Sequence, residues 1–314
     1  MRVILGIDTS NYTTSAALID ADSGALVASA GKLLPVKEGQ RGIRQSDAVF
    51  HHTAALPEIL REVYSGLQVQ TVAVAVSEKP AEQEGSYMPC FLAGVNAAAA
   101  SASACGVPLY KTSHQIGHIL ACLYGCESLA FLRQPFICFH VSGGTTDALL
   151  VKPEQERLCV ERVAKSSDLK AGQAVDRIGV KMGLHFPAGK ALEALALQSD
   201  KHYTQCAKLN GADCSLSGLE NLALKMLQSG EKEADCAKFV FDYLANTLEK
   251  MSLVLLEKYT DLPLFFAGGV MSNSIIKERL HKSLGAHFCP PRFSADNAVG
   301  IAYYGYLQWN NSKN

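Results

Sequence analysis

Residues 7–19 read Ile7-Asp8-Thr9-Ser10-Asn11-Tyr12-Thr13-Thr14-Ser15-Ala16-Ala17-Leu18-Ile19. Residues 139–151 read Phe139-His140-Val141-Ser142-Gly143-Gly144-Thr145-Thr146-Asp147-Ala148-Leu149-Leu150-Val151. Offset by 132 positions (139 minus 7), the stretches share Ser10/Ser142, Thr13/Thr145, Thr14/Thr146, Ala16/Ala148 and Leu18/Leu150. Each runs as an apolar strand, a small polar turn and a returning strand, which is a β-hairpin with a Ser/Gly/Thr tip. The period is far too long for a solenoid unit. It predicts two homologous lobes, each presenting a hairpin tip to one cleft; the alternative is coincidence between two similar hairpins.

Outward from these hairpins, β-branched and apolar runs alternate with helical patterns. Strands are expected at 3–8, 15–19, 25–30, 71–76, 108–111, 136–141, 147–151, 158–164, 264–267 and 287–289. Helices are expected at 47–65, 91–105, 114–124, 171–183, 234–258, 274–284 and 296–308. Strand-then-helix alternation implies an α/β architecture whose sheets are covered on both faces. Residues 85–110 carry no charge and are long enough to cross a bilayer. They hold Pro89, Asn96 and Pro108 among mostly Ala, Ser, Gly and Cys, too weakly apolar for a membrane span. A buried small-residue helix packed against a sheet is expected instead.

Lys plus Arg total 29 against 30 for Asp plus Glu, a net charge of −1 in 314 residues. Neutralising phosphates needs a basic face, so this balance excludes a freestanding electrostatic nucleic-acid binder. Hydrophobic residues at 48% and charged residues at 19% suit a large core and argue against disorder. Ten cysteines are scattered without a CxxC pair. The first eight residues read directly as a strand, without a leader. Reduced cysteines and a cytoplasmic location are expected.

Five constellations could carry chemistry. His114-Gln115-Ile116-Gly117-His118 places two imidazoles at i and i+4 on one helical face, able to reach one metal ion; the plain reading is a helix with two ordinary histidines. Cys122 and Cys126 continue the row, but each four-residue step rises about 6 Å and drifts about 40°. Cys126 is therefore out of reach and Cys122 marginal. Residues 140–146 put glycines and Thr hydroxyls at a hairpin tip, where successive N–H groups form an anion nest or simply a tight turn. Gly268-Gly269-Val270-Met271-Ser272-Asn273 follows an apolar strand, where ligands bind in open α/β sheets; its glycines admit a flat ring and Asn273 can hydrogen-bond it, or the stretch is only a strand-to-helix turn. Ser294-Ala295-Asp296-Asn297 reads either as a helix N-cap or as the carboxylate that completes a two-His-one-carboxylate site. Asp176, with Gly189 and Glu193, suits ribose hydroxyls, or salt bridges on helices.

The order of these motifs is more specific than any one of them. GIDTS (6–10), HQIGH (114–118), VSGG (141–144), AGQAVDRIGVKMGLHFPAG (171–189), LSGL (216–219), GGVMSNS (268–274) and SADNAVGIAYYGY (294–306) follow in sequence. From residue 1 to about 308 the chain resembles the Gcp/TsaD family, the tRNA threonylcarbamoyladenosine transferases. The resemblance implies an α/β, two-lobed, actin-like and Hsp70-like (ASKHA) fold with duplicated RNase H-like subdomains and a cleft between them. An N-terminal lobe would span 1–133 and a C-terminal lobe 134–314, with a mainly helical insertion at about 165–235. It implies one divalent metal, iron or zinc, on His114, His118 and Asp296. It implies a substrate and phosphate loop of His140, Val141, Ser142, Gly143, Gly144 and Thr145. Asp176, Gly189, Glu193, Gly268, Gly269 and Asn273 would hold an adenine nucleotide (threonylcarbamoyl-AMP, AMP or ATP), with Asp8, Thr9 and Ser10 at the N-terminal hairpin. The implied activity is an acyltransferase-type transfer of threonylcarbamoyl to N6 of adenosine 37 in tRNA. The implied partners are tRNA, bound weakly by the chain alone, a shorter actin-like paralogue and a small ATPase, in a homo- or heterodimer.

The chain also departs from the family pattern. Thr-Ser-Cys-Asp-Glu-Thr becomes Thr9-Ser10-Asn11-Tyr12-Thr13-Thr14, without the acidic pair. A glycine-rich turn becomes Ser77-Glu78-Lys79-Pro80-Ala81-Glu82, and Pro-Gly-Gly-Pro becomes Pro187-Ala188-Gly189-Lys190. These changes open two alternatives: a divergent paralogue with a shifted acceptor, and a non-catalytic nucleotide-binding scaffold that partners a true transferase. A peptidase reading has no support, because HQIGH lacks the Glu of HExxH.

Overall fold

The computed structural model describes residues 1–10, 12–35, 43–154, 157–294 and 298–313. Its elements follow the alternation of apolar runs. The strands are β1 (Arg2–Ser10), β2 (Thr13–Asp20), β3 (Leu26–Leu33), β4 (Gln70–Lys79), β5 (Leu109–Ser113) and β6 (Phe136–Val141). They continue with β7 (Thr146–Glu154), β8 (Arg157–Lys165), β9 (Leu209–Asn210), β10 (Asp213–Cys214), β11 (Leu264–Ala267) and β12 (His287–Phe288). The helices are α1 (Gln45–Tyr64), α2 (Phe91–Cys105), α3 (His114–Gly125), α4 (Ala171–Lys181) and α5 (Gly189–Ala196). After them come α6 (Ser217–Gln228), α7 (Glu233–Lys258), α8 (Ser274–Leu284), α9 (Pro291–Ser294) and α10 (Ala298–Asn311).

The contacts divide the chain into two units, 1–127 with 292–314 and 128–291. The sequence reading kept everything after residue 133 in one lobe. The closing helix belongs instead to the first unit, because α10 packs on α3, β1, β2 and β4.

In the first unit the sheet order is β3-β2-β1-β4-β5. β1, β2 and β3 pair antiparallel, while β4 and β5 continue parallel to β1. Side chains alternate across a strand, so β1 serves both faces. Val3, Leu5 and Ile7 pack with Leu56 and Ile59 of α1 and Ala98 of α2. Ile4 packs on the other face with Tyr306 and Trp309. A β-carbon at Gly6 would lie 2.4 Å from the Ala302 nitrogen, so the missing side chain lets α10 lie against the strand. The uncharged stretch forms α2, which packs on β4 and β1 through Ala93, Ala98 and Ala102, as expected.

The second unit repeats the plan, β8-β7-β6-β11-β12. Its hairpin has the register of the first: Asp8 pairs with Ser15 and Ser10 with Thr13, while His140 pairs with Asp147. Advancing Asp8 and Ser15 by the sequence offset lands on His140 and Asp147. Ile137, Phe139 and Val141 face a core with Phe241, Leu244 and Leu248 of α7. The inserted segment is mainly helical, with β9 and β10 as a short ribbon. Polar groups on α7 hold the extended chain before β9. Asp242 accepts from Tyr203 N at 3.0 Å, Asn246 donates to Tyr203 O at 2.8 Å, and Thr247 accepts from Ala207 N at 2.9 Å. Helices α5 and α6 were not expected from the sequence.

Candidate functional site

Each unit assembles one group of the expected residues. In the first unit, β1 carries Asp8 to its carboxyl end, where the residue is 1% exposed. His114 opens α3, whose N-cap Ser113 accepts from Ile116 N at 3.2 Å. The turn after β4 supplies a second cap, because Gln115 N donates to Pro80 O at 3.0 Å. His114 Nδ1 lies 3.1 Å from both carboxylate oxygens of Asp8. The Ser77 hydroxyl donates to Asp8 Oδ1 at 2.5 Å. Burial opposes the Asp8 charge, but His114, Ser77 and Ser10 outweigh it and hold the carboxyl below its ordinary range.

His114 and His118 share a face of α3, with ring centroids 4.6 Å apart in an edge-on arrangement. The expected pairing of two imidazoles on one side of the helix is therefore formed. Asp296 lies outside the described residues, as does Asn11 of the hairpin tip. Among the described residues no group of three or more His, Cys, Asp or Glu gathers as a metal cluster. Cys122 is buried, and Cys126 caps the end of α3, so neither extends the pair. The donor set still suits a borderline divalent ion, since imidazole serves zinc and iron.

Thr9 has a different use from the one expected. It is 0% exposed; its hydroxyl donates to Cys90 O and accepts from Gly94 N, both at 3.1 Å. It thus sits in the first hydrogen bond of α2 and ties β1 to that helix.

In the second unit the motifs form a circuit of contacts. Residues 142–145 make a tight turn, with Ser142 N donating to Thr145 O at 2.8 Å and Thr145 N to Ser142 Oγ at 3.2 Å. Gly143 and Gly144 are exposed, with open space where a β-carbon would stand. The turn packs against α4: a β-carbon at Gly172 would lie 2.7 Å from Gly143 N, and Ala171 N donates to Thr146 Oγ1 at 2.9 Å. One turn along α4, Asp176 Oδ1 accepts from Ala188 N at 2.8 Å, just before Gly189. Glu193, one turn along α5, accepts from Ser274 N at 2.7 Å and from its hydroxyl at 2.5 Å. Asn273 caps α8 by accepting from Ile276 N at 3.0 Å. Its Nδ2 is buried without a partner among the described residues. The circuit closes at Gly268, whose φ is +99° and whose β-carbon would lie 2.4 Å from Val141 O. Only glycine fits there.

Burial pushes the Asp176 carboxyl up, against the Ala188 N–H. Burial also pushes Asp147, the cross-strand partner of His140, upward against Arg162, Lys170 and Lys165. The sequence reading missed Ser77 and Gly172, and it missed Asp168. That carboxylate accepts from Leu169 N, Leu216 N, Ser217 N and the Ser215 hydroxyl at 2.6–3.2 Å. It fixes the start of α6 beside α4. A Ser-Ser-Asp stretch ahead of a helix was its only sequence signal.

The two-sheet plan recurs among solved structures. T. kodakarensis HypF superposes with a TM-score of 0.67 at 14% identity, over 99% of this chain and 48% of that one. Component A of the Acidaminococcus fermentans (R)-2-hydroxyglutaryl-CoA dehydratase gives 0.57 at 15%, over 99% and 100%. A ROK family glucokinase from Streptomyces griseus gives 0.53 at 12%, over 96% and 98%. The fold class is therefore actin-like. Within it, the sequence is 31% identical to the Streptococcus pneumoniae tRNA N6-adenosine threonylcarbamoyltransferase, over 98% of this chain and 93% of that protein. Residues 33–303 match the family TsaD, tRNA N6-adenosine threonylcarbamoyltransferase, and the chain belongs to that family.

Proposed function

We propose that the chain transfers a threonylcarbamoyl group from threonylcarbamoyl-adenylate to N6 of adenosine 37 in tRNA, with release of AMP. The observation that carries this reading is the circuit in the second unit. It joins a glycine turn, two carboxylates and a capped helix start through contacts between residues 12 to 127 positions apart in sequence. The Gly143 and Gly144 amides take no acceptor among the described residues and are suited to the phosphate. Gly269, with open space where a β-carbon would stand, admits the base beside Gly268, and Asn273 has a donor to offer it. Asp176 and Glu193 each keep one oxygen for the ribose hydroxyls. His140, at the end of β6, lies beside the phosphate turn.

In the first unit, His114 and His118 would hold a divalent metal, iron or zinc, with Asp296 as the third ligand. When bound, that ion supplies Lewis acidity to carbonyl and phosphate oxygens. Asp8 and Ser10 belong to the same corner, while Thr9 holds it in place. Among the described residues no helix is long and apolar enough to cross a membrane; the proposed place of action, from the tRNA substrate, is the cytoplasm. A shorter actin-like paralogue and a small ATPase are the proposed partners, with a homo- or heterodimer as the working assembly.

The second reading is a non-catalytic scaffold. Tyr12, at 43% exposed, and Thr13, paired with Ser10, stand where the resemblance places acidic residues. One experiment decides. The protein, with its partner subunits, is incubated with threonylcarbamoyl-adenylate and unmodified tRNA, and the modified nucleoside is measured by mass spectrometry. Formation that is lost with Asp176→Ala supports the transferase; AMP binding without formation supports the scaffold.

A further inference from the structure

We propose that Asp8 is a positioning residue for the metal corner. It fixes the His114 proton on Nδ1 and so makes Nε2 the ligating nitrogen, with Ser77 holding the carboxylate in turn. The inference rests on the metal reading above but adds a role that reading does not contain.

A neutral imidazole carries one proton, and the nitrogen without it binds metal. Asp8 is an anion, so in contact with Nδ1 it can only accept. Its two oxygens lie equally far from that nitrogen, which centres the N–H on the carboxylate. The proton therefore stays on Nδ1 and the lone pair on Nε2. The carboxylate is itself held. Ser77, 0% exposed near the end of β4, donates to Oδ1.

Burial makes the arrangement costly unless a positive charge is shared with it. Asp8 is 1% exposed and His114 is 19% exposed by side chain, so the carboxylate is shut off from solvent while the imidazole that holds it is partly open to it. A cation on Nε2 would be felt by Asp8 across the ring, and Asp8 would raise the basicity of the ligand. Partners of this kind change metal affinity by about 10–100-fold.

The test uses the full chain without metal and with Zn2+ as the probe. Nitrogen-15 NMR of the metal-free protein at alkaline pH should show His114 protonated at Nδ1 in the wild type and a mixture of tautomers in Asp8→Ala. Zinc affinity by chelator competition should fall about 10–100-fold in Asp8→Ala and less in Asp8→Asn, which keeps an accepting oxygen. Ser77→Ala should shift the tautomer in the same direction by a smaller amount. An Nε2-protonated His114 in the wild type overturns the proposal. So does undiminished zinc affinity in an Asp8→Ala protein whose unfolding transition is unchanged. Failure of the wild type to take up zinc overturns the metal reading alone, because the tautomer measurement still decides the role of Asp8. If Asp8→Ala does not fold, Asp8→Asn and Ser77→Ala carry both readouts.

Discussion

A β-carbon placed on Gly300 would stand 1.9 Å from the carbonyl oxygen of Gly117. The two glycines therefore mark where α10 and α3 touch backbone to backbone, between the histidines at 114 and 118. Gly300→Ala has no side-chain motion that relieves this overlap, so the helices must separate. Overpacking of this kind costs about 1–3 kcal/mol and at times more. The expected result is a lowered unfolding midpoint together with weakened zinc binding. A variant with wild-type stability would show that the helices do not meet at this point.

Thr9 predicts a different kind of loss. Thr9→Val keeps the shape but removes the hydroxyl that bridges Cys90 O and Gly94 N. Two buried backbone groups lose their shared partner, at about 1–3 kcal/mol. Thr9→Ser restores the bridge and should recover most of the stability. Hydrogen exchange at the Gly94 amide reports the same event locally, with faster exchange expected in the valine variant.

Asp168 gives the pH dependence. Its hydrogen bonds to Ser215, Ser217, Leu216 and Leu169 hold its carboxyl well below the usual carboxylate range, despite the opposing effect of burial. The folded value is the depressed one, so this contribution to stability is complete above the unfolded value, about 3.9. It fades as the pH falls from there toward the folded value. Urea midpoints should show the wild type more stable than Asp168→Asn at neutral pH, with the gap closing on acidification. A gap that widens in acid would contradict the assignment.

Binding to tRNA should depend steeply on partners and weakly on salt. With a net charge of −1, the isolated chain can neutralise few phosphates. The logarithmic salt slope is about −0.9 per phosphate contact at duplex sites, so a shallow slope is expected. Lys37, Arg41 and Arg44 fall within eight residues of the sequence and could supply a few such contacts. Only Arg44, at the start of α1, is among the described residues. Filter binding of the isolated protein across a salt series checks this, and tight binding that persists at high salt would contradict it.

The sequence displayed the sheets more fully than the site. β-Branched runs and the internal repeat marked both hairpins, and helical spacing in 234–258 marked α7. Helices α5 and α6 were hidden by their beginnings. Pro187-Ala188-Gly189-Lys190 and Ser217-Gly218 look like loop chemistry, and α5 has only Leu192 and Ala196 as buried anchors. The paired histidines were readable because both lie on one helix. The role of Glu193 was not, since Ser274, which it holds, is 81 positions away. Ser77 and Asp168 were missed for the same reason. Their partners are brought by chain reversals, and a hydroxyl or carboxylate carries no mark of what will later face it.

The return of α10 to the first sheet has a consequence for the ribosome. Residues 128–291 are continuous and can complete their core while the rest of the chain is still being made. The first unit cannot, because one face of β1 is covered by α10, which emerges after the whole of the second unit. Co-translational folding should therefore finish the second-made unit first. A chain released before residue 298 would keep that unit intact while leaving Ile4 and Gly6 uncovered, a product that quality-control proteases would recognise by its N-terminal half.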